Sequence, residues 1–164
     1  MISLTAGYNT YAEDIPSISP NAAFWTLGIY IIPSGSQKRQ LEILHQAALD
    51  YGARLSTSTL TQEEAYWSYM TYLRPQLTYP LACSCLTPAQ CYSIQSKALE
   101  HFLPKLHLNR HSPRAVLFGP RLYGGLELPY LYVDQGHQQL RLLVGHLNLQ
   151  DELSLQIQIL ISNV

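Results

Sequence analysis

Apolar positions along this chain change period more than once, and the changes divide it into elements. Phe24 to Ile32 is a short aromatic and β-branched run closed by Pro33-Ser34-Gly35-Ser36, which predicts a strand or hairpin arm ended by a turn. From Gln37 the spacing becomes helical. Leu41, Leu44, Ala48, Tyr51 and Leu55 share one face, and Gly52 is expected to mark the last turn. Thr61-Gln62-Glu63-Glu64 has the form of a capping box, in which hydroxyl and carboxylate satisfy backbone amides reciprocally. Tyr66, Tyr69, Met70 and Leu73 supply a second helical face that Pro75 is expected to stop or kink. Leu77, Tyr79 and Leu81 then read as a bent or extended link through Pro80. A third helix opens at Thr87-Pro88-Ala89-Gln90, presents Cys91, Ile94, Ala98 and Phe102, and is expected to end at Pro104.

Prolines and glycines punctuate residues 104–129, which read as a long basic loop. Beyond it, Val133, Leu140, Leu143, Val144 and Leu147 predict a fourth helix, and Asp151 is placed to cap a fifth that ends at Leu160. Residues 1–23 contain no Lys or Arg and read as a flexible arm. The expected fold class is mainly α: a single bundle-like domain over 24–164 with a short strand or hairpin near its start. Its parts are a strand and turn at 24–36, three helices over 37–103, the loop at 104–129 and C-terminal helices over 130–164.

Composition narrows the class. Of 164 residues, 47% are hydrophobic and only 13% charged, about half the usual charged share of a soluble domain. So apolar a chain buries enough surface to offset its ordering entropy, and a coiled coil would carry many more charges. Tyrosine dominates the aromatics, with 12 Tyr against 3 Phe and 2 Trp. Such amphipathic rings, on a weakly charged surface, suit an interface. No apolar run is long and unbroken enough to span a bilayer, and the first residues lack the pattern of a signal peptide. With only Cys83, Cys85 and Cys91, full pairing is impossible, so a reducing compartment is expected: intracellular, nuclear or cytoplasmic.

The net charge of −1 hides an uneven distribution. Lys97, Lys105, Arg110, Arg114 and Arg121 fall in one segment with His101, His107 and His111, and Glu100 is its single acid. From Leu122 onward, Glu127, Asp134, Asp151 and Glu152 outnumber the lone Arg141. A basic helix and loop of this kind can grip a phosphate backbone, with Phe102, Phe118 and Tyr123 interleaved as stacking rings. The bland counterpart is a solvated basic loop that pairs with the acidic C-terminal helices. Metal chemistry is not indicated. Cys83-x-Cys85 is tighter than zinc pairs, and His107-x3-His111 matches only half of such a site.

A set of short motifs in fixed order carries a family likeness. The set runs Thr26-Leu27-Gly28-Ile29, Tyr72-Leu73-Arg74-Pro75, Tyr79-Pro80-Leu81, Ile94-Gln95-Ser96-Lys97-Ala98 and Phe102-Leu103-Pro104-Lys105-Leu106. It continues through Asn109-Arg110-His111, Pro113-Arg114-Ala115-Val116, Phe118-Gly119-Pro120 and Tyr123-Gly124-Gly125-Leu126. Together they resemble the thumb and connection region that follows the catalytic palm in retrotransposon-type (non-LTR-like) reverse transcriptases of eukaryotes. Residues 109–126 are the most specific part. The resemblance implies a primer-grip-like role for Leu27 and Gly28. It implies nucleic-acid contacts by Lys97, Lys105, Arg110, His111, Arg114, Arg121 and Tyr123, with RNA or DNA, duplex or single strand, as partner. A polymerase needs paired metal-binding aspartates, and no Asp-Asp occurs here. No catalytic residue and no cofactor are therefore assigned; Mg2+ is expected only for a palm, which the chain lacks and which is a candidate partner as a separate chain. The sequence reads as a non-catalytic fragment split from that palm. The alternative is a protein-interaction or structural remnant that uses Tyr- and Leu-rich helix faces, self-associates and has no nucleic-acid affinity.

Overall fold

The computed structural model describes residues 19–149 and 152–162. Its first element is a hairpin: β1 (Phe24–Thr26) pairs antiparallel with β2 (Ile29–Ile31) in the register Phe24↔Ile31, Trp25↔Tyr30 and Thr26↔Ile29. Leu27 and Gly28 form its two-residue turn with φ of 50° and 85°, the positive pair that matches the twist of the strands. The rest is helical: α1 (Lys38–Thr57), α2 (Gln62–Ser68), α3 (Arg74–Thr78), α4 (Pro88–Lys105), α5 (Arg114–Phe118), α6 (Leu131–Leu149) and α7 (Glu152–Ser162). The chain is mainly α with a short N-terminal hairpin, as its periodicity indicates.

Both capping boxes form. Thr61 accepts from Glu64 N while the Glu64 carboxylate takes Thr61 N at 2.8 Å, and Thr87 and Gln90 repeat the arrangement on α4. These contacts hold Glu64's carboxyl below its ordinary range. Pro75 does not stop the helix. The turn before it, Tyr69–Leu73, widens to a π-helix in which Arg74 N reaches back to Tyr69 O. That register absorbs the missing proline donor, so α2, the π-turn, α3 and a 3-10 turn at Tyr79–Cys83 follow one another without a break. The extended link expected at residues 77–81 is therefore helical.

Three contacts advance together along α1 and α4: His45 with Ser93, Gly52 with His101, and the end of α1 with Lys105. The two helices run parallel in direct contact, and the α2–α3 rod packs against both. Most side chains expected on their inner faces are buried, including Leu44, Ala48, Leu55, Tyr69, Leu73, Cys91, Ile94, Ala98 and Phe102, while Leu41, Tyr66 and Met70 are half-buried against them. Gly52 is not the last turn, since α1 continues to Thr57. Its missing side chain admits the His101 ring, which would lie 2.5 Å from a Cβ. Pro104 likewise falls inside α4, in its last turn, where one lost donor is tolerated.

The C-terminal helices depart from the expected pattern. Val133, Leu140 and Val144 are exposed, whereas α6 buries Leu131, Asp134 and Gln135. Polar anchors decide this orientation. Arg74 donates twice to Asp134, at 3.0 and 3.1 Å, and Gln135 both donates to Leu86 O and accepts from Leu86 N. The expected cap at Asp151 and the arm over 1–18 lie outside the described residues.

Gln95, 1% exposed, is the polar centre of the core. Its amide donates to Tyr69 Oη at 2.8 Å and to Pro129 O at 2.7 Å, and accepts from Leu131 N. Replacing Gln95 with leucine strands three buried groups. Unfolding in urea should show a loss of about 3 kcal/mol, with the midpoint shifted and the slope unchanged.

Candidate nucleic-acid interface

The candidate interface begins where α4 ends. Leu108 N bonds to Leu103 O and His107 N to Pro104 O, a Schellman closure with His107 in the left-handed conformation (φ 59°) that usually calls for glycine. This closure turns the chain back, so residues 108–114 lie beside the outer face of the helix they have just left. Asn109 fixes the return by accepting from His111 N through its side chain and from Ser112 Oγ through its carbonyl.

A groove of about 490 Å³ results, lined by Tyr92, Lys97, Glu100, Arg110, His111 and Leu117 among others. The Arg114 guanidinium lies 3.6 Å from the centre of the Tyr92 ring, which holds its planar fork at the groove's edge. Arg110 sits 3.5 Å from Glu100, with both side chains about half exposed (55% and 50%). A pair so hydrated contributes little and can be exchanged for a phosphate. On the α1 side, His45 meets Ser93 at 3.1 Å, and burial followed by Lys97's charge lowers its pKa.

Residues 104–129 are not one open loop. They carry α5 and a 3-10 turn at Arg121–Tyr123, and backbone bonds from Leu126 to Val116 and from Leu128 to Leu117 tie the segment to itself. At its waist Gly125 passes against the Gly119 carbonyl, where any Cβ would collide with backbone.

The seven expected contact residues do not form one site. Lys97, Arg110 and His111 line the groove and Arg114 borders it through Tyr92. Lys105 is spent elsewhere: its Nζ donates to Ser58 O at 2.6 Å, capping the end of α1. Arg121 lies over Tyr66, donating to its hydroxyl at 2.8 Å, and approaches Glu127 at 3.7 Å. Tyr123 projects from the adjacent turn, 82% exposed. Phe102 is fully buried and Phe118 half-buried against Tyr130, so neither ring is open for stacking. Leu27 and Gly28 sit at the hairpin tip, where Leu27 O accepts from Tyr79 Oη at 2.8 Å. The hairpin is anchored near the start of α1, through Gln40 to Tyr30 N, and the groove follows the second half of α4.

The acids predicted to neutralise the basic segment divide, and Asp151 lies outside the described residues. Asp134 belongs to Arg74, Glu152 is exposed on α7, and Glu127 approaches Arg121 of the segment. Tyr92, which shapes the groove, carries no local signal in the sequence. Among the described residues no group of three or more His, Cys, Asp or Glu converges as a metal site, and no helix is long and apolar enough to cross a membrane. Comparison with protein-family models, with characterised proteins and with solved structures returns no match.

The waist predicts a mutational outcome. Gly125→Ala must displace the Gly119 carbonyl, and thermal unfolding should show a loss of about 1–3 kcal/mol. Gly136→Ala, in open space on α6, should be neutral or stabilising.

Proposed function

We propose that this chain is a non-catalytic nucleic-acid-binding module, similar to the thumb and connection region of a retrotransposon reverse transcriptase. Lys97, Arg110, His111 and Arg114 hold phosphates of an RNA or DNA primer–template along the groove beside α4. The observation that supports this most is their convergence: four residues spread over eighteen positions of sequence meet at one groove. Arg114 is ordered by Tyr92 before any ligand arrives, which reduces the entropy lost on binding. Lys105, Arg121 and the Leu27–Gly28 turn are assigned no phosphate contact in this reading. Chemistry would belong to a palm on another chain, because two-metal phosphoryl transfer requires paired carboxylates of a kind this sequence lacks.

A second reading draws on the exposed apolar side chains of α6 and α7, among them Leu140, Val144, Leu155 and Ile159. It makes the chain a protein-interaction module without nucleic-acid affinity.

Fluorescence anisotropy with a labelled primer–template duplex separates the two. Wild type should bind with a logarithmic salt slope of about −3 to −4, corresponding to roughly four phosphate contacts. Arg110→Ala and Arg114→Ala should each weaken binding about tenfold, the worth of one charge-assisted hydrogen bond, and reduce the slope by about one. Arg141→Ala, on α6, should leave affinity unchanged. Absence of binding at low salt, or equal losses in all three variants, would overturn the assignment.

A further inference from the structure

Two apolar surfaces near the C-terminal end of the chain match each other. The first belongs to α7, whose one charged residue is Glu152 in its first turn. The helix packs chiefly against α6, and its Ser154 is buried. On the side away from Ser154, Glu152, Leu155 and Ile159 recur at steps of three and four, the spacing of one helix face. Leu155 and Leu160 are 60% and 68% exposed, apolar area that a second surface would remove from water.

The second surface is a cleft of about 610 Å³ between α6 and the rod. The polar anchors Asp134, Gln135 and Gln139 lie in the first half of α6, and Gln139 donates to Ser84 O at 2.7 Å. Farther along, Pro75, Tyr79, Ala82, Leu142, Gly145 and Leu149 line the opening. Arg141 also borders it, exposed and in no ion pair among the described residues. Gly145 stands inside a helix, which glycine weakens, yet nothing lies within 4 Å of the Cβ an alanine would add. Packing within the chain therefore does not require glycine there; its small size keeps the cleft open.

We propose that the cleft receives α7 of a second copy of this chain, in a reciprocal two-fold dimer. The lengths agree: the α6 lining from Gln138 to Leu149 extends about 16 Å, as do the eleven residues of α7. The Leu155 face enters the cleft as an amphipathic helix lies in a groove, read at steps of three and four. Glu152, at the start of that face, meets Arg141, and the opposite charges fix the direction in which the helix lies. Closure follows from placement. The cleft ends at Leu149 and α7 begins at Glu152, so the two surfaces adjoin. One two-fold axis satisfies both at once, whereas surfaces on opposite sides of a protein propagate into open chains. The cleft shares no lining residue with the groove beside α4, so the dimer is independent of nucleic-acid binding there.

Sedimentation equilibrium of the full chain over a concentration series tests this. Wild type should show a monomer–dimer equilibrium and no larger species. Gly145→Phe places a ring in the cleft from open space, and Leu155→Glu puts a charge on the seated face. Each should weaken the dimer at least about tenfold while keeping the wild-type circular dichroism. Arg141→Glu and Glu152→Arg should each weaken it about tenfold and together restore it towards wild type, as paired charges do. A wild type that stays monomeric, leaving the cleft to another occupant, would overturn the proposal. So would open polymers, a dimer indifferent to Gly145→Phe and Leu155→Glu, or a charge-reversed pair that fails to recover.

Discussion

One buried amide holds the architecture together. Gln95 lies in the middle of α4, where water cannot satisfy it, and its partners come from the rod through Tyr69 and from the entry to α6 through Pro129 and Leu131. A buried amide left unbonded costs more than a bonded one contributes, so these three segments stay in one relative position or the core opens. Tyr69 in turn stacks on Phe102, with ring centres 4.6 Å apart, and ties the same centre to the later part of α4. With its inner face committed, α4 presents Tyr92, Lys97 and Glu100 outward, and the groove is built on that face.

Legibility in the sequence followed the type of force. Elements set by local chemistry were readable. The two capping boxes and the helical faces of α1, the rod and α4 depend on residues a few positions apart, whereas the turn expected at residues 33–36 proved to follow a hairpin that already reverses at Leu27–Gly28. Elements set by distant polar partners were not. The apolar spacing of α6 pointed to Leu140 and Val144 as buried, but the ion pair of Arg74 with Asp134 spans sixty residues and rotates the helix the other way. The prolines misled for a related reason: a π-turn accommodates Pro75, and the last turn of a helix tolerates Pro104.

The candidate site was legible as a charge cluster and illegible as a shape. Counting basic residues placed Lys97, Lys105, Arg110, Arg114 and Arg121 together, yet proximity in sequence says nothing about direction. Lys105 turns inward to cap α1, and Arg121 leaves with the 3-10 turn to lie on Tyr66. The Schellman closure at His107 is what brings Arg110 and His111 back beside Lys97, and a left-handed histidine has no signature in a single sequence. The low average charge of the chain therefore coexists with a local basic groove.

The central claim is that nucleic acid binds along the outer face of α4. Residue-resolved NMR titration of the full chain with a primer–template duplex tests it most directly. Perturbations should concentrate at Tyr92, Lys97, Arg110, His111 and Arg114, fade with added salt, and spare Leu140, Val144 and Ile159. A spectrum that does not change, or one that changes along α6 and α7 and leaves the groove untouched, would contradict the account.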